Sequence, residues 1–158
     1  MQTTQEAVNL YSIRPVLVSD KEQYEVVCRF RDALTEEGYD SHDDKVGDDI
    51  AEIYLCYLGS KPVMTFRTIY TPNVGYFLAR IAIPASQQKN GHGSKLLPQV
   101  LALIDSKLKP GEKIALKAKP SLFGFYAKFG FYRQGPEQFF RGVNTIDMFR
   151  HKSGMQKL

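Results

Sequence analysis

Gln88-Lys89-Asn90-Gly91-His92-Gly93 stands between an apolar strand-like run, Phe77 to Ile83, and an apolar helix-like run, Leu96 to Leu108. Strand, glycine loop and helix in that order suit the holding of a phosphate. The glycines let successive backbone N–H groups turn into one concavity, and the helix adds its unpaired first-turn donors and the positive end of its dipole. A mononucleotide loop needs four residues between its glycines and then Gly-Lys-Ser/Thr, and a dinucleotide fingerprint needs three glycines; neither pattern is present. Taken alone, Gly-x-Gly here fits a tight turn as well as a ligand site.

A second signature decides between the two. Phe125-Tyr126-Ala127-Lys128-Phe129-Gly130-Phe131 follows about thirty residues later and reads as a helix end running straight into a strand. Gln-x-x-Gly-x-Gly followed by Phe-Tyr-x-Lys-x-Gly-Phe resembles the GNAT superfamily of acyl-CoA-dependent N-acyltransferases, over roughly residues 9 to 151. The resemblance implies a fold and a donor, acetyl-CoA or another acyl-CoA, and says much less about the acceptor.

Acyl transfer from a thioester to an amine needs the acyl carbonyl held near the amine, an exit for the amine proton and a proton for the departing thiolate. Positioning does much of this. By the resemblance, the strand before the loop splays from its neighbour, and the backbone of Ile81, Ala82 and Ile83 bonds the pantetheine arm. Gln88, Lys89, Asn90, Gly91, His92, Gly93 and Ser94 then surround the pyrophosphate. His92 is expected to face solvent with only its amide engaged.

Tyr126 matches the tyrosine that protonates the leaving thiolate in many GNAT enzymes, and a phenol of pKa about 10 suits that task. Packing beside Phe123, Phe125 and Phe129 is the other reading of the same ring. Lys119 stands where the family usually has an asparagine, seven residues before the tyrosine, which puts one expected hydrogen bond to the cofactor in doubt. No general base is identifiable outright; Glu52, acting through water, is the candidate.

Phe30-Arg31, Thr65-Phe66-Arg67-Thr68 with Thr71-Pro72, and Leu78-Ala79-Arg80-Ile81-Ala82-Ile83 resemble the arginine-bearing positions of acyl-homoserine-lactone synthases and N-acyl amino acid synthases. Autoinducer synthases typically lack the glycine loop, which this chain has, so an acyl-CoA donor is favoured. Arginines inside a sheet are expensive unless paired, and Asp43, Asp44, Asp48 and Asp49 could pair them. Alternatively Arg67 and Arg80 bind a carboxylate on the acceptor, since a guanidinium forks onto carboxylates.

The 158 residues make one domain, with 43% hydrophobic and 24% charged residues, as in an ordinary soluble globule. The elements read β-α-β-β-β-α-β-α-β-β: strand 10–18, a helix from Ser19-Asp20 to Gly38, an acidic loop 38–49, strands 50–58, 61–71 and 75–83, the helix after the loop, strand 113–118, helix 121–129, and strands 131–134 and 145–149. That alternation predicts a single α/β (α+β) domain. By the resemblance its mixed, mostly antiparallel central sheet is flanked by helices, with 9–151 as the acyltransferase domain between flexible ends, 1–8 and 152–158. Pro98 falls within the helix after the loop, which therefore begins near Ser94 or kinks.

Cys28 and Cys56 lack a Cys-x-x-Cys spacing, and a reduced, cytoplasmic setting is the simpler expectation. His42, His92 and His151 share no ligand spacing, so no metal is expected. A net charge of +4 suits a phosphorylated cofactor as well as a nucleic acid, but the aromatics cluster with apolar neighbours instead of interleaving with basic residues. The expected activity is therefore acetyl-CoA-dependent N-acetyltransfer to a small-molecule amine, without a nucleic-acid or membrane partner; a homodimer is compatible with the resemblance. The alternatives are a non-catalytic acyl-CoA-binding module and an N-acyl amino acid or autoinducer-type synthase using longer donors.

Overall fold

A computed structural model describes residues 10–40 and 44–152. The terminal segments 1–8 and 153–158, with His42 and Asp43, lie outside the described residues. Strand β1 (Tyr11–Val16) leads into helix α1 (Lys21–Phe30), whose start is capped by the Asp20 carboxylate accepting from the Gln23 N–H at 3.2 Å. The helix expected to continue to Gly38 breaks at Arg31 and restarts as α2 (Asp32–Glu36). That break lets the Arg31 side chain turn inward onto Asp48. The acidic stretch expected as open loop contains a one-turn helix, α3 (Asp44–Asp48), because arginines bury its carboxylates instead of leaving them to water.

The remaining strands are β2 (Glu52–Leu58), β3 (Lys61–Thr71), β4 (Gly75–Ala82), β5 (Lys113–Ala118), β6 (Tyr132–Arg133), β7 (Gln138–Phe140) and β8 (Val143–His151). They form one mixed sheet in the order β1-β2-β3-β4-β5-β8-β6, with β7 also on β8. Every pairing is antiparallel except β4 with β5. The short β7 lies in the segment 135–142, expected as a loop between Gly135-Pro136 and Gly142.

Residues of β2 point alternately to the two faces. Tyr54 and Cys56 join the larger core, into which Leu96, Leu97, Val100, Leu101 and Ile104 of helix α4 (His92–Asp105) pack. Ile53, Leu55 and Tyr57 join a second core with Val16 and Val27, under α1. Both faces of the sheet are thus covered. Helix α4 starts at His92 and carries Pro98 inside it, leaving the Ser94 carbonyl without an in-helix donor. A last short helix, α5 (Phe123–Ala127), follows a 3-10 turn at Pro120–Leu122. Cys28 is exposed, Cys56 is buried, and both are free thiols. Among the described residues no helix is long and apolar enough to cross a membrane.

Candidate active site

The cleft begins where β4 and β5 part. They pair only over Gly75–Phe77 and Lys113–Ala115, and beyond that Leu78–Ala82 and Leu116–Ala118 diverge. Gly75 permits the close start: its φ is +129°, and a Cβ there would stand 1.8 Å from the Lys113 carbonyl oxygen. Two cavities of about 120 and 320 Å³ fill the divergence. They share the walls Leu34, Glu37, Ile81, Lys119, Leu122 and Tyr126, so the cleft has two arms meeting at those residues.

The inner edge of β4 is bulged. Thr65 opposes Ala82 and Arg67 opposes Ala79, so Phe66 alone faces both Arg80 and Ile81. Arg80 takes up the extra residue at φ +54°, a conformation an arginine adopts only when its surroundings enforce it. The enforcement is visible: Arg80 Nε donates to Asp44 Oδ1 at 2.7 Å, and its guanidinium lies 4.6 Å over the Tyr39 ring. The sequence carried no signal for this bulge, since arginine is not a turn residue.

At the end of β4, Ile81 and the following Ile83 pack partly buried against the main core and Ala82 is buried, as expected. The same three residues line the larger arm, with Gln88 and Gly93 beside them. The Gln88 side chain is already used, donating to the Ile83 carbonyl at 2.9 Å and tying loop to strand. Gly91 is the N-cap of α4 at φ +77°, with no side-chain cap. Among the described residues no acceptor is found for the N–H groups of Asn90, Gly91, His92, Gly93 or Ser94; the first bonded amide is Lys95, to the Gly91 carbonyl. Lys89, Asn90 and Ser94 are exposed there. A free donor cluster at the mouth of an apolar arm fits a diphosphate on a long apolar-walled tether.

The expectation that His92 faces solvent is overturned. The ring is 5% exposed, with Nδ1 2.8 Å from the Tyr11 hydroxyl and Nε2 3.2 Å from Gln87 Oε1. Burial, with Lys95 and Lys61 nearby, holds its pKa below the ordinary 6.5. The unfolded chain therefore binds the proton more readily than the folded one, so this site leaves stability intact above pH 6.5 and subtracts from it as pH falls below that value. His92→Gln is expected to flatten the fall in unfolding midpoint below pH 6.5; an unchanged pH dependence would show that other groups cause it.

Tyr126 lines both arms and is 8% exposed. Its ring packs edge-on to Phe125 and Phe131, at 5.3 and 5.9 Å between centroids. Among the described residues its hydroxyl has no hydrogen-bond partner, and burial pushes its pKa up to about 12. Both sequence readings of this residue thus coexist, an aromatic body in the core and an unpaired phenol in the cleft.

The arginines form a buried ion network. Arg31 grips Asp48 through both Nη atoms, at 2.7 and 2.9 Å, while Arg67 Nη1 reaches Asp48 Oδ1 at 3.1 Å and the Asp44 carbonyl at 3.0 Å. The Tyr24 hydroxyl donates to Asp48 Oδ2 at 2.5 Å. Burial alone would raise the Asp48 pKa, but the bonds from Arg31 and Tyr24 outweigh it and hold the carboxyl below its usual range. Gly47 lets the α3 backbone lie on the Arg67 guanidinium, since a Cβ there would come within 2.7 Å of Nη1. Arg80 lines the smaller arm; Arg67 does not.

Two further expectations resolve at the cleft. Glu52 does not reach it: its carboxylate accepts from Lys107 Nζ at 2.8 Å and the Tyr54 hydroxyl at 3.0 Å, and it lines neither arm. Lys119, standing in place of the usual asparagine, lines both arms and pairs with Glu37. Glu37, Tyr39 and Phe140 are cleft residues that the sequence did not single out. They lie in polar or loop-like stretches without periodicity.

A family model described as "Acetyltransferase (GNAT) domain" matches residues 38–151. The chain belongs to the GNAT acetyltransferase family. Among curated proteins none matches the chain. Solved structures share the GNAT fold at low identity. Escherichia coli ElaA is 18% identical with a TM-score of 0.72, covering 89% of this chain and 99% of its own. FeeM, an N-acyl amino acid synthase from uncultured soil microbes, is 12% identical with a TM-score of 0.71, covering 91% and 92%. Spermidine N-acetyltransferase from Vibrio cholerae, in complex with CoA and spermine, is 17% identical with a TM-score of 0.66, covering 92% and 97%. The splayed strands, bulge, glycine loop and cleft tyrosine described above thus lie within a GNAT acetyltransferase domain.

Proposed function

We propose that this GNAT protein transfers an acetyl group directly from acetyl-CoA to the primary amine of an amino acid or similar small metabolite. The observation that carries the reading is the run of unpaired amides from Asn90 to Ser94, opening onto the apolar arm beside Ile81–Ile83. The diphosphate sits on those amides with Lys89 near it, and the Ile81, Ala82 and Ile83 backbone holds the pantetheine arm. Acetyl-CoA supplies the acyl group as an activated thioester. Tyr126 gives its proton to the departing sulfur. Arg80, whose Nε alone is engaged by Asp44, offers its outer nitrogens to a carboxylate on the acceptor. Arg67 supports that placement from the network behind, an acceptor role at one remove.

CoA complexes among GNAT structures, such as that of the Vibrio cholerae enzyme, support the donor class. The similarity to FeeM supports a carboxylate-bearing acceptor and keeps a longer acyl donor as the second reading. Free-thiol release with acetyl- and octanoyl-CoA against a panel of amino acids and polyamines tests both. Turnover with acetyl-CoA and an amino acid is expected; CoA binding without thiol release from any pair would leave a binding module. Gly93→Leu is the matching control. A methyl at Gly93 fits, with its nearest neighbours at 3.8 and 3.9 Å, but a leucine would fill the larger arm. It is expected to weaken acetyl-CoA binding by tenfold or more in calorimetry without lowering the unfolding midpoint.

A further inference from the structure

Glu37 is the only carboxylate, among the described residues, on the walls of either arm. It sits at the C-terminal end of α2, at the junction where Tyr126 also stands. The other acidic side chains near the sheet are held elsewhere: Asp44 and Asp48 by arginines, Glu52 by Lys107, Asp147 by Lys117 and Asp105 by Arg150.

We infer that Glu37 receives the acceptor nitrogen and takes its proton during transfer, an inference that rests on the acetyltransferase reading above. Lys119 occupies that carboxylate in the free protein. The pair is part-exposed, 33% for the lysine and 45% for the glutamate side chain, and an ion pair so open to water contributes only about 0–1 kcal/mol. A substrate ammonium can therefore replace the lysine ammonium one for one at little cost. The exposure also gives the proton a way out to solvent.

The step balances as follows. The bound ammonium first sheds one proton to solvent, and its lone pair forms the C–N bond at the thioester carbonyl carbon. A second proton leaves the nitrogen for the Glu37 carboxylate. The C–S bond breaks with its electrons on sulfur, and the sulfur takes the Tyr126 proton. Glu37 then gives its proton up and Tyr126 recovers one, so amide, free thiol and one net proton leave.

The test compares Glu37→Gln and Glu37→Asp with the unaltered protein. Three readouts are taken: thiol release, acetyl-CoA affinity by calorimetry, and amine affinity for the CoA-bound protein. Glu37→Gln is expected to lower kcat about 10²-fold and to weaken the amine about tenfold, with acetyl-CoA affinity within twofold. Glu37→Asp, which keeps the charge, is expected to recover at least tenfold of the lost kcat. A Gln variant with kcat within threefold of the original, or one that loses acetyl-CoA affinity in proportion to kcat, overturns the inference while leaving the acetyltransferase reading in place. Acetyl-CoA binding without turnover of any amine by the unaltered protein overturns both.

Discussion

Tyr126→Phe is expected to lower kcat by about 10²-fold or more while leaving acetyl-CoA affinity and the unfolding midpoint nearly unchanged. The selectivity follows from the hydroxyl's isolation: the ring supplies the packing against Phe125 and Phe131, and the oxygen bonds to nothing that its removal would strand. A phenol pushed up to about 12 is a weaker acid than a free one, whereas an exposed thiol titrates near 8.5. In the proposed complex the departing thiolate forms against the same buried ring, and partial desolvation there raises the basicity of the sulfur as burial raises the phenol. Donor and acceptor therefore shift together. No basic limb from this residue is expected below about pH 11. Steady-state kinetics with the Phe variant check the claim, and unchanged kcat would remove Tyr126 as the acid.

Asp48→Ala is expected to lose about 3–5 kcal/mol of stability, the range for removing one partner of a buried ion pair. The loss falls on Arg31 and Arg67, both about 5% exposed, whose Nε atoms are already buried without partners. With Asp48 gone, two guanidiniums would be left in the interior with, among the described residues, only the Asp44 carbonyl to accept from one of them. The same network sets a pH dependence. Because the folded pKa of Asp48 lies below its ordinary 3.8, its stabilisation is present above that value and is lost as pH falls through the depressed one. Urea unfolding at pH 7 measures the first effect, and a loss under 1 kcal/mol would show that the network is incidental.

What was legible in the sequence was what local pattern encodes. Lys61–Thr71 reads as a strand and is one, because its hairpin turn at Gly59-Ser60 and its pairing with neighbouring β2 are short-range. Leu96, Leu97, Val100, Leu101 and Ile104 recur at helical spacing and all reach the core. The glycine loop announced its unpaired amides for the same reason. Pairing of Asp44 and Asp48 with the sheet arginines was legible, but helix α3 was hidden, because the acidic stretch has no apolar periodicity and arginines at positions 31, 67 and 80, distant along the chain, make its carboxylates interior. His92 was misplaced because its partner Tyr11 is 81 residues away. Glu37 went unnoticed since it shares the walls of the cleft with Tyr126 only through the fold, a relation that no spacing expresses.

The arginines show where a local reading and a non-local one compete. Arginine-bearing strands predict either pairing or ligand binding, and both are present in graded form. Arg31 and Arg67 are locked into Asp48, while Arg80 is held by one nitrogen and reaches the cleft wall. The strain of its left-handed backbone is maintained by Asp44 and Tyr39, so the network behind the cleft also sets the shape of the bulged strand in front of it.

The account stands on a CoA diphosphate lying against the amides from Asn90 to Ser94. An amide NMR titration of the protein with CoA tests this most directly. Saturable shifts concentrated at Asn90–Ser94 and at Ile81–Ile83, with none at the Glu52 and Lys107 surface, are predicted. Absence of saturable shifts, or shifts confined to residues outside the cleft between β4 and β5, would contradict it.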